Sequence, residues 1–236
     1  MRQFDRTLIR ALPLFLDMGN ANFNRLVKAA TLLHFPQQAS LIIEGELPTF
    51  LYVVIEGSVE LFCTHDRHET TIDIMQPVTP FILTSVIRGD VYLTSARTLT
   101  PAQILLIPAQ ILLIPAQMVR DLFNRDFAFA RAVGSELAAS YRNAVRSLKN
   151  EKLRTGAERL ANWILRANAL QGNQKIIELP FEKHALASSL GMTAEHLSRS
   201  LARLTQYGIK TSGRNIVIED SFALERFAKP NALIDD

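Results

Sequence analysis

At 236 residues the chain exceeds one average domain and falls short of three, so two domains joined by a connecting element are expected. Apolar residues at 48% and charged residues at 21% exclude a largely disordered chain. A formal net charge of +3 with a pI near 9.2 is compatible with nucleic acid without demanding it.

The opening stretch, MRQFDRTLIRALPLF, carries an acidic residue and lacks the long apolar core and small-residue cleavage site of a signal peptide. No apolar run approaches the ~18 residues a membrane helix needs, so a cytoplasmic protein with no membrane partner is expected. A helix is predicted over about Asn22 to Leu33, with Phe23, Leu26, Val27, Ala30 and Leu33 on one face.

From about residue 40 to 115, short β-branched and aromatic runs alternate with glycine and proline. Leu41 to Ile43, Leu51 to Ile55, Val59 to Cys63 and Thr70 to Met75 read as consecutive antiparallel strands, with Gly45 and Gly57 at breaks where a turn needs positive φ. Cys63 is the sole cysteine, which excludes an intrachain disulfide and any four-thiolate iron–sulfur cluster or zinc site, since those need several sulfurs from one chain. No other metal site is expected.

The heptapeptide PAQILLI occurs twice in tandem, at Pro101 to Ile107 and Pro108 to Ile114. An odd-numbered repeat would swap the two faces of a continuous strand, so one copy is expected to form the strand and the other to loop out. A recent duplication, or an error in the sequence, accounts for it better than a functional repeat.

A long helix without proline follows from about Ala116 to Lys149. Phe127, Ala130, Gly134, Leu137, Tyr141, Ala144 and Leu148 recur at spacings of three and four, the seam of a two-stranded coiled coil, with Val133 and Val145 widening the stripe. The alternative is that this seam packs on the chain's own β domain. Small Gly134 and Ala144 allow close helix approach, which favours a parallel homodimer. The charged segment Lys149 to Thr155 marks the boundary, and a helix over Ala157 to Ala169 is expected to bury Leu160, Ala161, Ile164 and Leu165, with Trp163 as a core or interface anchor.

The most informative stretch is Leu179 to Ile218. A first helix over about Glu182 to Leu190 ends at Gly191, where two crossing helices need a left-handed turn. Thr193 can cap a second helix running to about Gln206, and Ile209 to Ile218 reads as a β-hairpin around Ser212-Gly213, a wing. On the second helix Leu197, Leu201 and Leu204 form the buried side, while Glu195, Ser198 and Arg199 share the opposite face near the N-terminus. That part of a recognition helix enters the major groove, where arginine can bond guanine O6 and N7 and glutamate can accept from the cytosine N4 amino group. The bland alternative is a Glu–Arg surface pair on a winged helix that binds protein. Lys183, Thr193, Arg203 and Arg214 are candidate phosphate contacts, each also readable as an ordinary surface residue.

With these residues in view, the chain resembles the Crp/Fnr superfamily of bacterial transcription regulators along nearly its whole length. LIIEGELPTFLYVVIEGSVELF is similar to the glycine-punctuated strands of the cyclic-nucleotide-binding β-roll, and LASSLGMTAEHLSRSLARL to the family's helix-turn-helix. The resemblance implies an α+β fold: a β-roll sensor domain (a double-stranded β-helix) with an N-terminal helix over 1–115, a long dimerisation helix and hinge over 116–152, and a winged helix-turn-helix over 153–236. Glu195, Ser198 and Arg199 match the E-x-x-S-R pattern of the Fnr-type branch, which implies TTGA-like half-sites in an inverted repeat. Ala194 stands where the cyclic-AMP receptor branch carries arginine, so the half-site should differ from that branch's.

The family's cyclic-nucleotide cassette pairs Gly-Glu with a later Arg-Ser or Arg-Thr. The corresponding stretch, PFILTSVIRGDVYLTSARTL, has no Gly-Glu and places Tyr92-Leu93 about where Arg-Ser should be; Arg88 and Arg97 read as unpaired surface arginines. This argues against cyclic nucleotide, and the missing cysteines argue against an iron–sulfur oxygen sensor. The sensor half looks most like the nitric-oxide-responsive regulators of denitrification, for which haem is the usual candidate; His34, His65, His68 and Cys63 are the obvious axial ligands, each with a bland reading as a solvated or core residue. Three functions remain in view: an effector-gated regulator binding double-stranded DNA, and RNA polymerase if an activator; a constitutive DNA binder with a degenerate sensor; and a nucleotide-binding regulatory subunit governing a partner protein. No nucleophile–base pair or phosphate loop points to an enzyme.

Overall fold

A computed structural model describes residues 3–66, 68–99, 109–179 and 183–235. The chain divides into two compact units, Met1–Tyr141 and Arg142–Asp236.

The first unit opens with α1 (Gln3–Arg10) and α2 (Asn20–Ala29), followed by β1 (Thr31–Phe35), β2 (Ser40–Ile42), β3 (Phe50–Glu56), β4 (Val59–His65), β5 (His68–Met75) and β6 (Thr79–Phe81). Then come α3 (Leu83–Arg88), β7 (Ser95–Thr98), β8 (Ala109–Pro115) and α4 (Ala116–Arg125). The strands form two antiparallel sheets, ordered β1-β8-β3-β6 and β2-β7-β4-β5. All four predicted strands are present, and Gly45 and Gly57 have φ of +87° and +79°.

The central strands β3 and β8 are buried on both faces. Leu51, Val53, Ile55, Leu112 and Ile114 face a core shared with the helices, which includes Phe15, Phe23 and Leu26. Tyr52, Val54, Ile111 and Leu113 face the second sheet, where they share a core with its Ile42, Val59 and Ala96, with Phe81 of β6 and with Tyr92. Burial on two faces explains why these strands read as unbroken apolar runs rather than alternating ones.

The first helix prediction overran its end. Phe23 and Leu26 are buried as expected, but Ala30 turns extended and Leu33 lies in β1, where Thr31 to Phe35 pair with Leu113 to Ala109. The ladder with β8 outweighs the helical spacing of Ala30 and Leu33. The second copy of the heptapeptide supplies β8; the first copy, Pro101 to Ile107, lies outside the described residues.

The helix expected over 116–149 is two helices, α4 and α5 (Phe127–Leu153). They break at Asp126, which is extended and 7% exposed, and whose carboxylate accepts from the Phe129 N–H at 3.0 Å, Gly19 N–H at 3.2 Å and Asn22 Nδ2 at 2.7 Å. One side chain thus starts α5 and ties it to α2. Burial works against its charge, but these hydrogen bonds outweigh it and hold the carboxyl below its usual range. Phe129 and Val133 enter the unit's own core, Phe129 stacked on Phe15 at 6.1 Å, so Val133 does not widen the open stripe.

The second unit begins inside α5 and continues through α6 (Gly156–Leu170), β9 (Ile176–Glu178), α7 (Lys183–Ser189), α8 (Ala194–Leu204), β10 (Ile209–Ser212), β11 (Asn215–Ile218), α9 (Ser221–Ala228) and α10 (Ala232–Asp235). Thr155 and Glu158 form a reciprocal capping box that starts α6. Leu160, Ala161 and Ile164 are buried as predicted, and Leu165 partly so. No helix among the described residues is long and apolar enough to cross a membrane.

Candidate DNA-recognition surface

The helix-turn-helix is built by α7 and α8. Gly191, between them, has φ +62°, a left-handed conformation that calls for glycine, and the Glu151 carboxylate lies 2.9 Å from where a Cβ would sit. Thr193 is extended and accepts from the His196 N–H at 3.2 Å, capping α8. Leu197, Leu201 and Leu204 are buried at 1%, 8% and 0% exposure, with Ser200 beside them.

The opposite side presents Glu195, Ser198 and Arg199, all exposed. Hydrogen bonds from the Glu195 N–H and the Thr193 hydroxyl, with the positive Arg199 nearby, hold the Glu195 carboxyl below its usual range. It is therefore an ionised acceptor near neutral pH. The Ser198 hydroxyl donates to the Ala194 carbonyl at 3.0 Å, which fixes its rotamer and leaves its oxygen as an acceptor for an outside donor.

The structure distributes the four candidate phosphate contacts unevenly. Lys183 is exposed at the start of α7. Arg203 is exposed with its guanidinium 5.5 Å from the Phe227 ring, itself stacked on Tyr207. Thr193 is engaged in the cap. Arg214 donates from Nη2 to the Leu179 carbonyl at 2.6 Å, bracing the wing.

The wing pairs Ser212 with Asn215, so its turn residues are Gly213-Arg214, one position later than the sequence suggested. β11 also pairs with β9, a third strand the sequence reading missed because three residues carry too short a pattern.

The predicted seam falls partly on open surface. Phe127, Gly134, Tyr141, Ala144 and Leu148 are exposed, with Tyr141 at 72% and Leu148 at 54%, and nothing lies within 4 Å of where a Gly134 Cβ would sit. Ala130 is half-buried, and Leu137 packs partly on the first unit's core.

In the sensor unit Arg97 is not an unpaired surface arginine. Its Nε donates to Glu60 at 2.7 Å, its Nη1 and Nη2 donate to Glu69 at 3.1 and 2.5 Å, and its guanidinium lies 4.3 Å from the Phe62 ring. Glu60, 2% exposed, also accepts from Thr71 at 2.6 Å. A single guanidinium therefore bridges two carboxylates, one of them buried. Arg88 pairs with Asp90 on the surface, as a surface residue should.

Tyr92 and Leu93 diverge: Tyr92 is buried between the sheets and Leu93 is 77% exposed. Tyr52 stacks on Phe81 at 5.4 Å, and burial pushes its phenol up to about 12. The candidate axial ligands do not converge: His34 is exposed on β1 of one sheet, His65 is exposed on β4 of the other, and Cys63 donates to the Leu93 carbonyl. The His68 side chain lies outside the described residues. Among those residues no group of three or more His, Cys, Asp or Glu could hold a metal ion.

A β-roll followed by a winged helix-turn-helix defines a two-domain regulator of the DNA-binding kind. Residues 32–126 match the cyclic nucleotide-binding domain and residues 158–227 match the Crp-like helix-turn-helix domain. With both domains in this order, the chain is a Crp/Fnr-family protein.

Its fold is similar to that of FixK2 from Bradyrhizobium japonicum, at 21% identity and TM-score 0.71, covering 86% of this chain and 99% of that one. A transcriptional regulator from Eubacterium rectale ascribed to the crp/fnr family gives 16% identity and TM-score 0.73, covering 93% and 99%. A CRP-family transcriptional regulator from Thermus thermophilus gives 19% identity and TM-score 0.64, covering 84% and 97%. At these identities the likeness concerns the fold. None of the curated proteins matches the sequence.

Proposed function

We propose that this Crp/Fnr-type protein is a homodimeric, sequence-specific transcription regulator that reads an inverted repeat of TTGA-like half-sites. The observation that carries this is α8 itself: a capped helix with three leucines inside and Glu195, Ser198 and Arg199 exposed together at its N-terminal turns. Arg199 reads guanine through O6 and N7, and Glu195 accepts from a cytosine amino group. An ionised glutamate facing phosphates is repulsive unless it makes a base contact, which favours specific reading over general adhesion. Lys183 and Arg203, both exposed, are the better placed phosphate contacts; Thr193 and Arg214 already serve the protein's own backbone. The exposed Tyr141, Ala144 and Leu148 on α5 support pairing with a second copy.

The sensor is read as effector-gated through a ligand other than a cyclic nucleotide. Tyr52, Phe81 and Tyr92 occupy the space between its sheets, and Arg97 is committed to two glutamates. If the factor activates, RNA polymerase is its further partner. Haem sensing of nitric oxide would need one of His34, His65, His68 or Cys63 as an axial ligand.

The test is a binding titration against a TTGA-type palindrome, its single half-site and a scrambled duplex at physiological salt, with and without haem and nitric oxide. The palindrome should bind far more tightly than either control, and Arg199→Ala should lose about 1–3 kcal/mol of discrimination per half-site. Equal affinity for scrambled DNA overturns the reading.

A further inference from the structure

The joint between α5 and α6 is braced by two arginines that no sequence motif flags. Arg154 follows the last residue of α5 and precedes the Thr155 cap of α6. Its Nη1 and Nη2 donate to the two Asp235 carboxylate oxygens at 2.7 and 2.6 Å, and Nη1 also reaches Asn150 Oδ1 at 3.1 Å. The side chains of the pair are only 7% and 8% exposed. Asp235 is set in turn by the Asn231 N–H, which donates to its Oδ2 at 2.7 Å. Burial works against the Asp235 charge, but the bonds from Arg154 and Asn231 and the nearby Arg166 outweigh it and keep the carboxyl below its usual range.

Arg159 lies one turn into α6 and directs all three guanidinium nitrogens at backbone carbonyls. Nη1 bonds Arg154 O at 2.9 Å, Nε bonds Leu190 O at 2.8 Å and Nη2 bonds Gly191 O at 3.2 Å. Leu190 and Gly191 are the turn between α7 and α8. The residue that Asp235 clamps is thus held, through its carbonyl, by the side chain that holds the helix-turn-helix turn. The Glu151 carboxylate in the last turn of α5 approaches the same turn at Gly191.

We propose that Asp235, Arg154 and Arg159 form a positioning relay that fixes the angle between the end of α5 and the recognition helix α8. The inference rests on the reading above, in which α5 pairs two copies and α8 reads DNA. None of the three residues touches a base. Their role is to hold α8 so that two copies meet half-sites at one spacing. A bidentate buried pair suits this task because loss of either partner leaves a buried charge uncompensated, so the brace is either made or broken.

The experiment uses the full chain and Asp235→Asn, with Arg159→Gln as a second variant should the first fail to fold. Amide exchange without DNA should be about tenfold faster over 148–158 and 188–193 in the variant, with β3 and β8 unchanged. Binding to palindromes of graded spacing should show a preference for one spacing in the wild-type chain that flattens to within about threefold in the variant. Discrimination between a matched and a scrambled single half-site should stay as in the wild type. Unchanged exchange at the joint together with an unchanged spacing preference overturns the relay. A uniform loss of all binding in step with a lower melting temperature also overturns it, since that is what a merely stabilising pair would give. If the wild-type chain ignores every palindrome, the DNA reading fails, and the exchange result alone decides whether the brace exists.

Discussion

β3 and β8 of the sensor roll turn apolar side chains to both faces and bury them over Leu51 to Ile55 and Ile111 to Ile114, whereas α8 buries one row of leucines and leaves its other side charged and bare. The first arrangement is held by packing; nothing on those strands is free to meet a ligand except at their ends. The second is held by a cap, a glycine turn and three leucines, so the exposed face can change without disturbing the fold. The comparison separates residues that make the molecule stable from residues available for recognition, and each kind of substitution has a different expected signature.

The largest effect is expected in the doubly packed unit. Phe129→Ala removes a fully buried ring stacked on Phe15 and should cost about 3–5 kcal/mol in that unit. Urea unfolding followed by circular dichroism should show an early transition. Fluorescence of Trp163, the sole tryptophan and a residue of the second unit, should keep its midpoint. A joint shift of both signals would break the comparison by showing that the units unfold as one.

Asp126→Ala should come next, at about 1–3 kcal/mol, because the carboxylate serves the α5 cap, Gly19 and Asn22 together. The sign of its pH dependence follows from the lowered pKa. The unfolded chain takes up the proton first as pH falls, so the contribution is present above the ordinary aspartate range and is lost as pH drops through the lower folded value. The difference in melting temperature between wild type and variant should therefore be constant near neutrality and shrink below about pH 4.

The contrast also explains what could be read from the sequence. The roll's strands, Gly45, Gly57, Gly191, the Thr193 cap and the leucine row of α8 were legible, because each is a local pattern whose physical cause lies within a few residues. The break at Asp126 was not, since its partners Gly19 and Asn22 are more than a hundred positions away and a lone aspartate inside a helical pattern looks like surface. The Arg97 network and the Arg154–Asp235 pair escaped for the same reason: ion pairs across 37 and 81 positions leave no periodic trace. The heptapeptide shows a different limit. With both faces of β8 buried, Ile111 to Ile114 carry no alternation, so pattern alone could not choose between two identical copies.

The smallest effect on stability, and the most telling, is expected on the bare side of α8. Glu195→Gln keeps the shape of the side chain and removes its charge at a fully exposed position, so the melting temperature should stay within about 2 °C of wild type. Part of the bond to the Thr193 hydroxyl survives in the amide, and the cap to His196 is untouched. Base discrimination should nevertheless fall about tenfold at the position opposite Glu195, because an amide can donate as well as accept and no longer selects a cytosine amino group. Electrostatic repulsion from the phosphates also disappears with the charge. Affinity for scrambled DNA should therefore rise while affinity for the palindrome falls, and the salt dependence of the two should differ. A variant that lost stability and specificity together would place Glu195 among the residues that hold α8 in place, which its exposure argues against.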